Sequence, residues 1–263
     1  MCLHYGVSVR KACATFLVHR SVFYYRSRRP DQVVLKQRIK DITLSRISYG
    51  YRRVHTQLLR EGFPVNHKRV YRLYCELSLQ MRQKKPKRRI QAKAREDRMV
   101  PTKKNDVWSM DFVSDALFAG KKLRILTVVD AFTRESPIVG VGFTYKGHDV
   151  VQTLEEAVRH YGYPKTIRID NGPEFISKDL DLWAYTYRVT LDFSRPGKPT
   201  DNAFIESFNS RFRQECLNQH WFLSLEDAKR KIEDWWREYN SHRPHSSLGY
   251  LTPREFAAQT DPP

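Results

Sequence analysis

The rhythm of hydrophobic and polar positions changes near residue 105. Before that point the apolar residues recur at helical spacing in short stretches. Residues 8–27 read as two short helices with a turn near Leu17–Val18. Ser8 can cap the first helix, and Val9, Ala12, Cys13 and Phe16 make one apolar face. Residues 48–79 follow the same plan more clearly. YRRVHTQLLRE turns Val54 and Leu58 inward at i, i+4, GFP breaks the chain, and Asn66 can cap a second helix, HKRVYRLYCEL. In that helix Val70, Leu73, Tyr74 and Leu77 share one face, and Lys68, Arg69 and Arg72 share the other. A basic face that begins one turn after a cap suits a recognition helix entering the major groove of DNA.

After residue 105 the pattern becomes α/β. NDVWSMDFVSD, KLRILTVVDAF and SPIVGVGFTY read as three successive strands joined by short turns. HDVVQTLEEAVRHYG is an amphipathic helix with Val150, Leu154, Ala157 and Val158 on its stripe. KTIRID is a fourth strand, ISKDLDLWAYTYR a helix, VTLDFS a fifth strand, and a helix carrying Glu206 follows. Near the end, LEDAKRKIEDWWREYN places Ala228, Ile232, Trp235 and Tyr239 on one stripe, suited to packing on the domain.

Charge sharpens this division. Of the 263 residues, 1–104 carry 27 Lys+Arg against 6 Asp+Glu, whereas 105–263 carry 20 against 23. A strongly basic module joined to a slightly acidic one points to a polyanion-binding half and a metal-binding half. The segment 82–104 holds 11 basic residues, among them Lys84, Lys85, Lys87, Arg88 and Arg89, with almost nothing to build a core. So like-charged a block reads as a linker that tracks a nucleic-acid backbone. The expected organisation is a short helical segment over 1–35, a helix-turn-helix DNA-binding unit over 36–81, the basic linker over 82–104 and an α/β catalytic domain over 105–263. Cys2, Cys13, Cys75 and Cys216 show no paired spacing, which argues against a disulfide framework or a zinc site and for a reduced, cytoplasmic setting. The uncharged run from Ser136 to Tyr145 is too short to span a bilayer, so no membrane association is expected.

The candidate chemistry lies in three carboxylates: Asp111 in WSMDF, Asp170 in IRIDNGPEF and Glu206 in DNAFIESFN. Two are presented by strands and one by a helix. Carboxylate oxygens suit hard cations such as Mg²⁺ or Mn²⁺, and two such ions can clamp the attacking and leaving oxygens of a phosphodiester. Asn209 and Arg213 fall at i+3 and i+7 from Glu206 and share its face, where a base can hold a DNA phosphate. SRPGKPTDN adds Arg195 and Lys198 in a Gly/Pro-rich loop that reads as a DNA contact, a strand–helix connector, or both. Asp130 at a strand end reads as a turn-stabilising residue, and Glu174 as a DNA-positioning or helix-capping one.

WSMDF, TVVDAFTRESP, IRIDNGPEF, SRPGKPTDNAFIESFNSRFRQECLN and YNSHRPHSSLGYLTPREF together resemble successive blocks of the second-frame (OrfB-type) transposases of the IS-three insertion-sequence family. That family lies in the retroviral integrase superfamily. The resemblance covers nearly the whole chain and implies a ribonuclease-H-like integrase core preceded by small all-α helix-turn-helix segments. It implies that Asp111, Asp170 and Glu206 are the catalytic, metal-binding triad and that Arg213 is the basic residue beside it. The implied activity is metal-dependent DNA cleavage and strand transfer at element ends, via a circular intermediate, by multimers bridging two DNA ends. An upstream-frame (OrfA) partner or fusion is implied as well. Three positions depart from the family pattern: Leu17 stands where a turn Gly is expected, His19 where a Ser cap is, and Ser78 where another Gly is. A non-catalytic DNA-binding regulator of transposition and a nuclease of the same fold are the alternatives.

Overall fold

The structure is a computed structural model that describes residues 6–26, 32–81, 100–195 and 202–260. The expected DNA contacts Lys84, Lys85, Lys87, Arg88, Arg89 and Lys198 lie outside the described residues.

The chain opens with α1 (Val9–Thr15) and α2 (Arg20–Phe23). The Ser8 side chain accepts from the Lys11 amide, as a cap should, and His19 caps α2 by accepting from the Ser21 amide. Leu17 between them has φ 53°, the left-handed region that a side chain enters at a cost and Gly enters freely. The same holds at Ser78, φ 55°, after the second helix pair. The backbone that the family pattern fills with Gly is therefore kept at both sites. The apolar face expected on α1 is not a core face: Cys13 is buried, but Phe16 is 61% exposed. The two helices pack chiefly on each other and are too short to enclose it.

A compact three-helix unit follows, formed by α3 (Val33–Ser45), α4 (Tyr51–Arg60) and α5 (His67–Glu76). Asn66 caps α5 by accepting from the Lys68 amide at 2.8 Å. Val54 and Leu58 from α4 meet Val70, Leu73 and Tyr74 from α5, as the periodicity predicts. Helix α3 closes that core with Ile39 and Ile42. Each such enclosed aliphatic contributes about 1.5–3 kcal/mol on burial.

The α/β domain is built on a five-stranded sheet of order β3-β2-β1-β4-β5. Strands β1 (Val107–Ala116), β2 (Lys122–Asp130) and β3 (Val139–Gly142) form an antiparallel meander. Helix α6 (Gly147–Tyr161) crosses over to β4 (Thr166–Ile169), which lies parallel to β1, and α7 (Lys178–Thr186) to β5 (Thr190–Phe193), parallel to β4. Helices α8 (Ala203–Glu215), α9 (Leu225–Ser241) and α10 (Pro253–Thr260) complete the chain. Alternation along β1 divides the core into two layers. Trp108 and Met110 face α6 and α7, whereas Val113 faces α8 and α9. The stripe Ala228, Ile232, Trp235 and Tyr239 of α9 is buried in that second layer, which is the packing role its pattern predicts.

The helical unit is tied to the α/β domain by arginines. Arg46 meets Glu238 at 2.7 Å, Arg60 meets Glu255 at 2.6 Å, and Arg53 meets Glu215 at 3.4 Å.

Candidate active site

Strand register brings the two aspartates together. β1 and β4 run parallel with Trp108 opposite Ile167 and Ser109 opposite Arg168. Two residues further in that register, Asp111 and Asp170 stand side by side, Asp170 directly after the last residue of β4. Asp111 is at an odd position of β1, so its side chain faces the layer that holds α8. That helix packs on β1 and β2 and carries Glu206 in its first turn.

The Asp111 carboxylate is held by the chain around it. Its Oδ1 accepts from the Phe112 amide at 2.7 Å, and its Oδ2 accepts from the Asn209 side-chain amide at 2.9 Å. Thr127, directly opposite on β2, donates its hydroxyl to the Asp111 carbonyl at 3.0 Å and to the Asn209 side-chain oxygen at 2.8 Å. Asn209, expected to meet DNA, thus has both ends of its amide engaged within the protein. Burial pushes Asp111 up to about 6, with the negative charges of Asp170 and Glu206 adding to the rise against the hydrogen bonds that lower it. The three carboxylates therefore sense one another. Asp170 accepts from the Gly172 amide at 3.0 Å, and both Asp170 and Glu206 are solvent-exposed. Among the described residues no group of three or more His, Cys, Asp or Glu side chains is close enough to hold a metal ion. The donor set still fits a hard cation: it is all oxygen, and its like charges repel without one.

The other sequence candidates separate. Arg213 donates to the Ser114 carbonyl at 3.3 Å, one strand position from Val113, and remains exposed. Lys68 and Arg69 are exposed on α5, while Arg72 lies 3.4 Å from Glu76. Arg195 is exposed at the end of the described segment after β5. Asp130 is not at the site: it accepts from the amides of Asn105, Phe132 and Thr133, the turn-stabilising role. Glu174 neither caps a helix nor stands free. It is ion-paired with Arg124, whose guanidinium lies 4.6 Å over the Phe112 ring.

Sequence reasoning missed Thr127 and the role of Asn209. A signal existed, because Ala116 pairs with Lys122 across the turn at Gly120, and counting back from that pair puts Thr127 opposite Asp111. It missed more completely the ion-pair system in which Glu215 takes two bonds from Arg243, at 2.6 and 2.7 Å, and a third contact from Arg53. Nothing in the spacing of these residues announces that they meet.

Comparison with known proteins agrees with this fold. Residues 101–199 and 187–253 match two families described as "Integrase core domain", and residues 30–87 match one described as "HTH-like domain". Over 256 residues the chain is 46% identical to "Insertion element IS407 uncharacterized 31.7 kDa protein" of Burkholderia multivorans, a match covering 97% of this chain and 92% of that protein. It is 29% identical over 260 residues to "Putative transposase InsK for insertion sequence element IS150" of Escherichia coli K12, covering 92% and 91%. A simian T-cell lymphotropic virus intasome, solved in complex with PP2A regulatory subunit B56 gamma, shares the fold at a TM-score of 0.56 and 14% identity, over 86% of this chain and 76% of that one. Fold and matches together define an integrase-core polynucleotidyl transferase carrying a helix-turn-helix-like unit. The chain belongs to the insertion-sequence DDE transposases. Membership implies dependence on a divalent cation. Among the described residues no helix is long and apolar enough to cross a membrane.

Proposed function

We propose that Asp111, Asp170 and Glu206 are the catalytic and metal-binding triad of this transposase, and that it both cuts DNA at element ends and joins the freed 3′ ends to target DNA. The observation that carries the reading is the β1–β4 register, which sets Asp111 beside Asp170 under the helix that presents Glu206. When bound, Mg²⁺ or Mn²⁺, as a pair of ions, supplies an activated water or 3′-hydroxyl and stabilises the leaving oxygen. The chain's own part is to hold the carboxylates. Phe112, Asn209 and Thr127 fix Asp111 in one orientation, so Asn209 acts as a positioning residue. Arg213 sits one turn further along the same helix, where it can hold a phosphate of the bound strand.

In the same reading, helix α5 with Lys68, Arg69 and Arg72, the segment 82–104 with Lys84, Lys85, Lys87, Arg88 and Arg89, and the loop residues Arg195 and Lys198 contact DNA. The domain division at residues 36, 82 and 105, a homo-oligomer bridging two ends, an upstream-frame partner and a cytoplasmic, nucleoid-bound location belong to this proposal too. Basic charge concentrated before residue 105 supports the division of labour.

The test is incubation of the purified chain with pre-cut element-end DNA, a target plasmid and Mg²⁺ or Mn²⁺. Joined products that disappear when the 3′ end is dideoxy-blocked are expected. In Asp170→Asn, cleavage and joining should fall at least roughly a thousandfold while DNA binding is kept. Cleavage without joining under either metal would favour a nuclease, and full activity in Asp170→Asn would remove the triad assignment.

A further inference from the structure

Arginines that cross between the helical unit and the α/β domain are matched one to one with acids at two places, Arg46 with Glu238 and Arg60 with Glu255. At a third place the match fails. A cavity of about 300 Å³ beside α8 is lined by Arg53, Arg134, Arg211 and Arg243, with His245 among them. Among the described residues the one carboxylate ion-paired to this group is Glu215, and it is taken up by Arg243 and Arg53. Arg134 donates to the Ala131 carbonyl and lies 3.9 Å over the Phe204 ring; Arg211 meets the Gln214 side chain at 3.3 Å. Among the described residues neither is ion-paired to an acid, although the charge of Asp130 is near enough to raise Arg134 against the burial that lowers it.

The crowding of positive charge is visible in its effects. Burial holds Arg53 below the ordinary arginine range, and the charge of Arg243 lowers it further, against the pull of Glu215. Burial likewise lowers Arg134. His245 is pushed down to about 4 by burial, and then by Arg243, Arg134, Arg53 and Arg211. It is therefore neutral, with Nδ1 2.9 Å from the Ser247 hydroxyl. Arg134 also holds φ 62°, a left-handed conformation that Gly would adopt freely.

We propose that this cavity is a binding site for a phosphoryl anion, and that its occupant is a backbone phosphodiester of DNA lying in the active site. Guanidinium donors with a hydroxyl beside them are the groups that recognise phosphate oxygens. The cavity has room for such a group, since a water takes roughly 30 Å³. DNA is favoured over a free anion by position. Ser207 and Arg211 line the cavity from α8, and Ser207 follows Glu206 directly in that helix. The cavity thus opens on the same helix that carries Glu206, on the neighbouring face that holds Ser207 and Arg211. Arg243, His245, Ser246 and Ser247 of the HRPHSS segment line it as well, a family-like block to which the triad gives no task. Because Arg53 belongs to α4, the site also joins the helical unit to the bound strand.

The identity of the occupant rests on the transposase reading above; the existence of the anion site does not. The test uses the full chain carrying Asp170→Asn and reads binding alone, so loss of catalysis does not enter it. Arg211→Gln is the main variant, since Arg211 is exposed and its loss leaves the fold intact; Ser247→Ala is the second, and Arg237→Gln on α9 is the control. Affinity for a short duplex is measured by fluorescence anisotropy across a salt series, and thermal stabilisation by inorganic phosphate is measured against chloride at equal ionic strength. In Arg211→Gln, duplex affinity should fall about tenfold, the salt slope should drop by about one, and the phosphate effect should shrink. Ser247→Ala should weaken both readouts less, and Arg237→Gln neither. Loss of the phosphate effect with an unchanged duplex affinity and slope would overturn the DNA assignment in favour of a free phosphate. No change in either readout for Arg211→Gln and Ser247→Ala would overturn the site.

Discussion

The three-helix unit and the α/β domain use their charges in opposite ways. In the α/β domain the Asp111 carboxylate is pushed up to about 6 by burial and by the nearby charges of Asp170 and Glu206, and none of the three is ion-paired to a cation among the described residues. In the helical unit, by contrast, many of the charges are already answered. Arg46, Arg53 and Arg60 face Glu238, Glu215 and Glu255 of the other domain, and Arg38 forks onto Glu61. Lys68 and Arg69 remain exposed. The basic half is thus not one uniform DNA-binding surface. Part of its charge fastens it to the catalytic domain, and part is left for a polyanion. Unmatched charge marks where a ligand is expected, and matched charge marks where the molecule holds itself together.

The sharpest way to break this comparison is to remove the central acid of the junction. The Glu215 side chain is almost covered and takes Arg243 and Arg53, so Glu215→Gln leaves the buried Arg243 guanidinium unpaired beside the half-buried Arg53. A loss of about 3–5 kcal/mol is expected. Chemical denaturation should show it, with earlier proteolysis of the helical unit; a loss below 1 kcal/mol would mean that the apolar contacts alone fasten the two regions.

A smaller effect is expected from acid. His245 is held down to about 4 from an ordinary 6.5, chiefly by burial and then by the surrounding arginines. Below pH 6.5 the unfolded chain takes up this proton before the folded one does, so stability falls between pH 6.5 and about 4. Glu215 is held below the carboxylate range: burial raises it, but the bonds and charges of Arg243 and Arg53 outweigh that. Its contribution is present above the unfolded value and is lost as the pH falls further. His245→Asn should therefore flatten the upper part of the acid limb by an amount on the order of 2 kcal/mol. Thermal melts between pH 4 and 7 would measure it, and an unchanged pH profile would show His245 to be ordinary.

The smallest expected effect tests the charge left over. Neutralising Lys68 and Arg69 together should weaken duplex binding about tenfold and reduce the salt slope by about two, with stability unchanged. Neutralising Arg46 and Arg60 should do the reverse, lowering stability with little change in the slope. A salt slope equally sensitive to both pairs would dissolve the distinction between matched and unmatched charge.

Much of this molecule was legible from the chain alone. Periodicity located α4, α5, α6 and α9 and all five strands, because an element that buries one face must repeat apolar residues at its own period. Residue type and motif order nominated Asp111, Asp170 and Glu206, because hard-cation chemistry admits few side chains, and the β1–β4 register sets the two aspartates side by side. The helix Val33–Ser45 escaped the periodicity reading: only Ile39 and Ile42 are buried in it, too few to set a rhythm. So did the exposure of Phe16, since an apolar face in sequence says nothing about whether another element arrives to cover it.

What only the tertiary structure decided is which distant residues meet. The chain specified the strand carrying Asp111, but Asn209 and Thr127 became its supports through the packing of α8 across β1 and β2. The sequence showed a surplus of arginine before residue 105, but could not sort Arg46, Arg53 and Arg60 from Lys68 and Arg69. The physical reason lies in range. Local spacing fixes dihedral preferences and one-sided burial over a few turns, whereas an ion pair or a cavity depends on contacts between residues as far apart as Arg53 and Glu215, which the sequence does not order and the fold does.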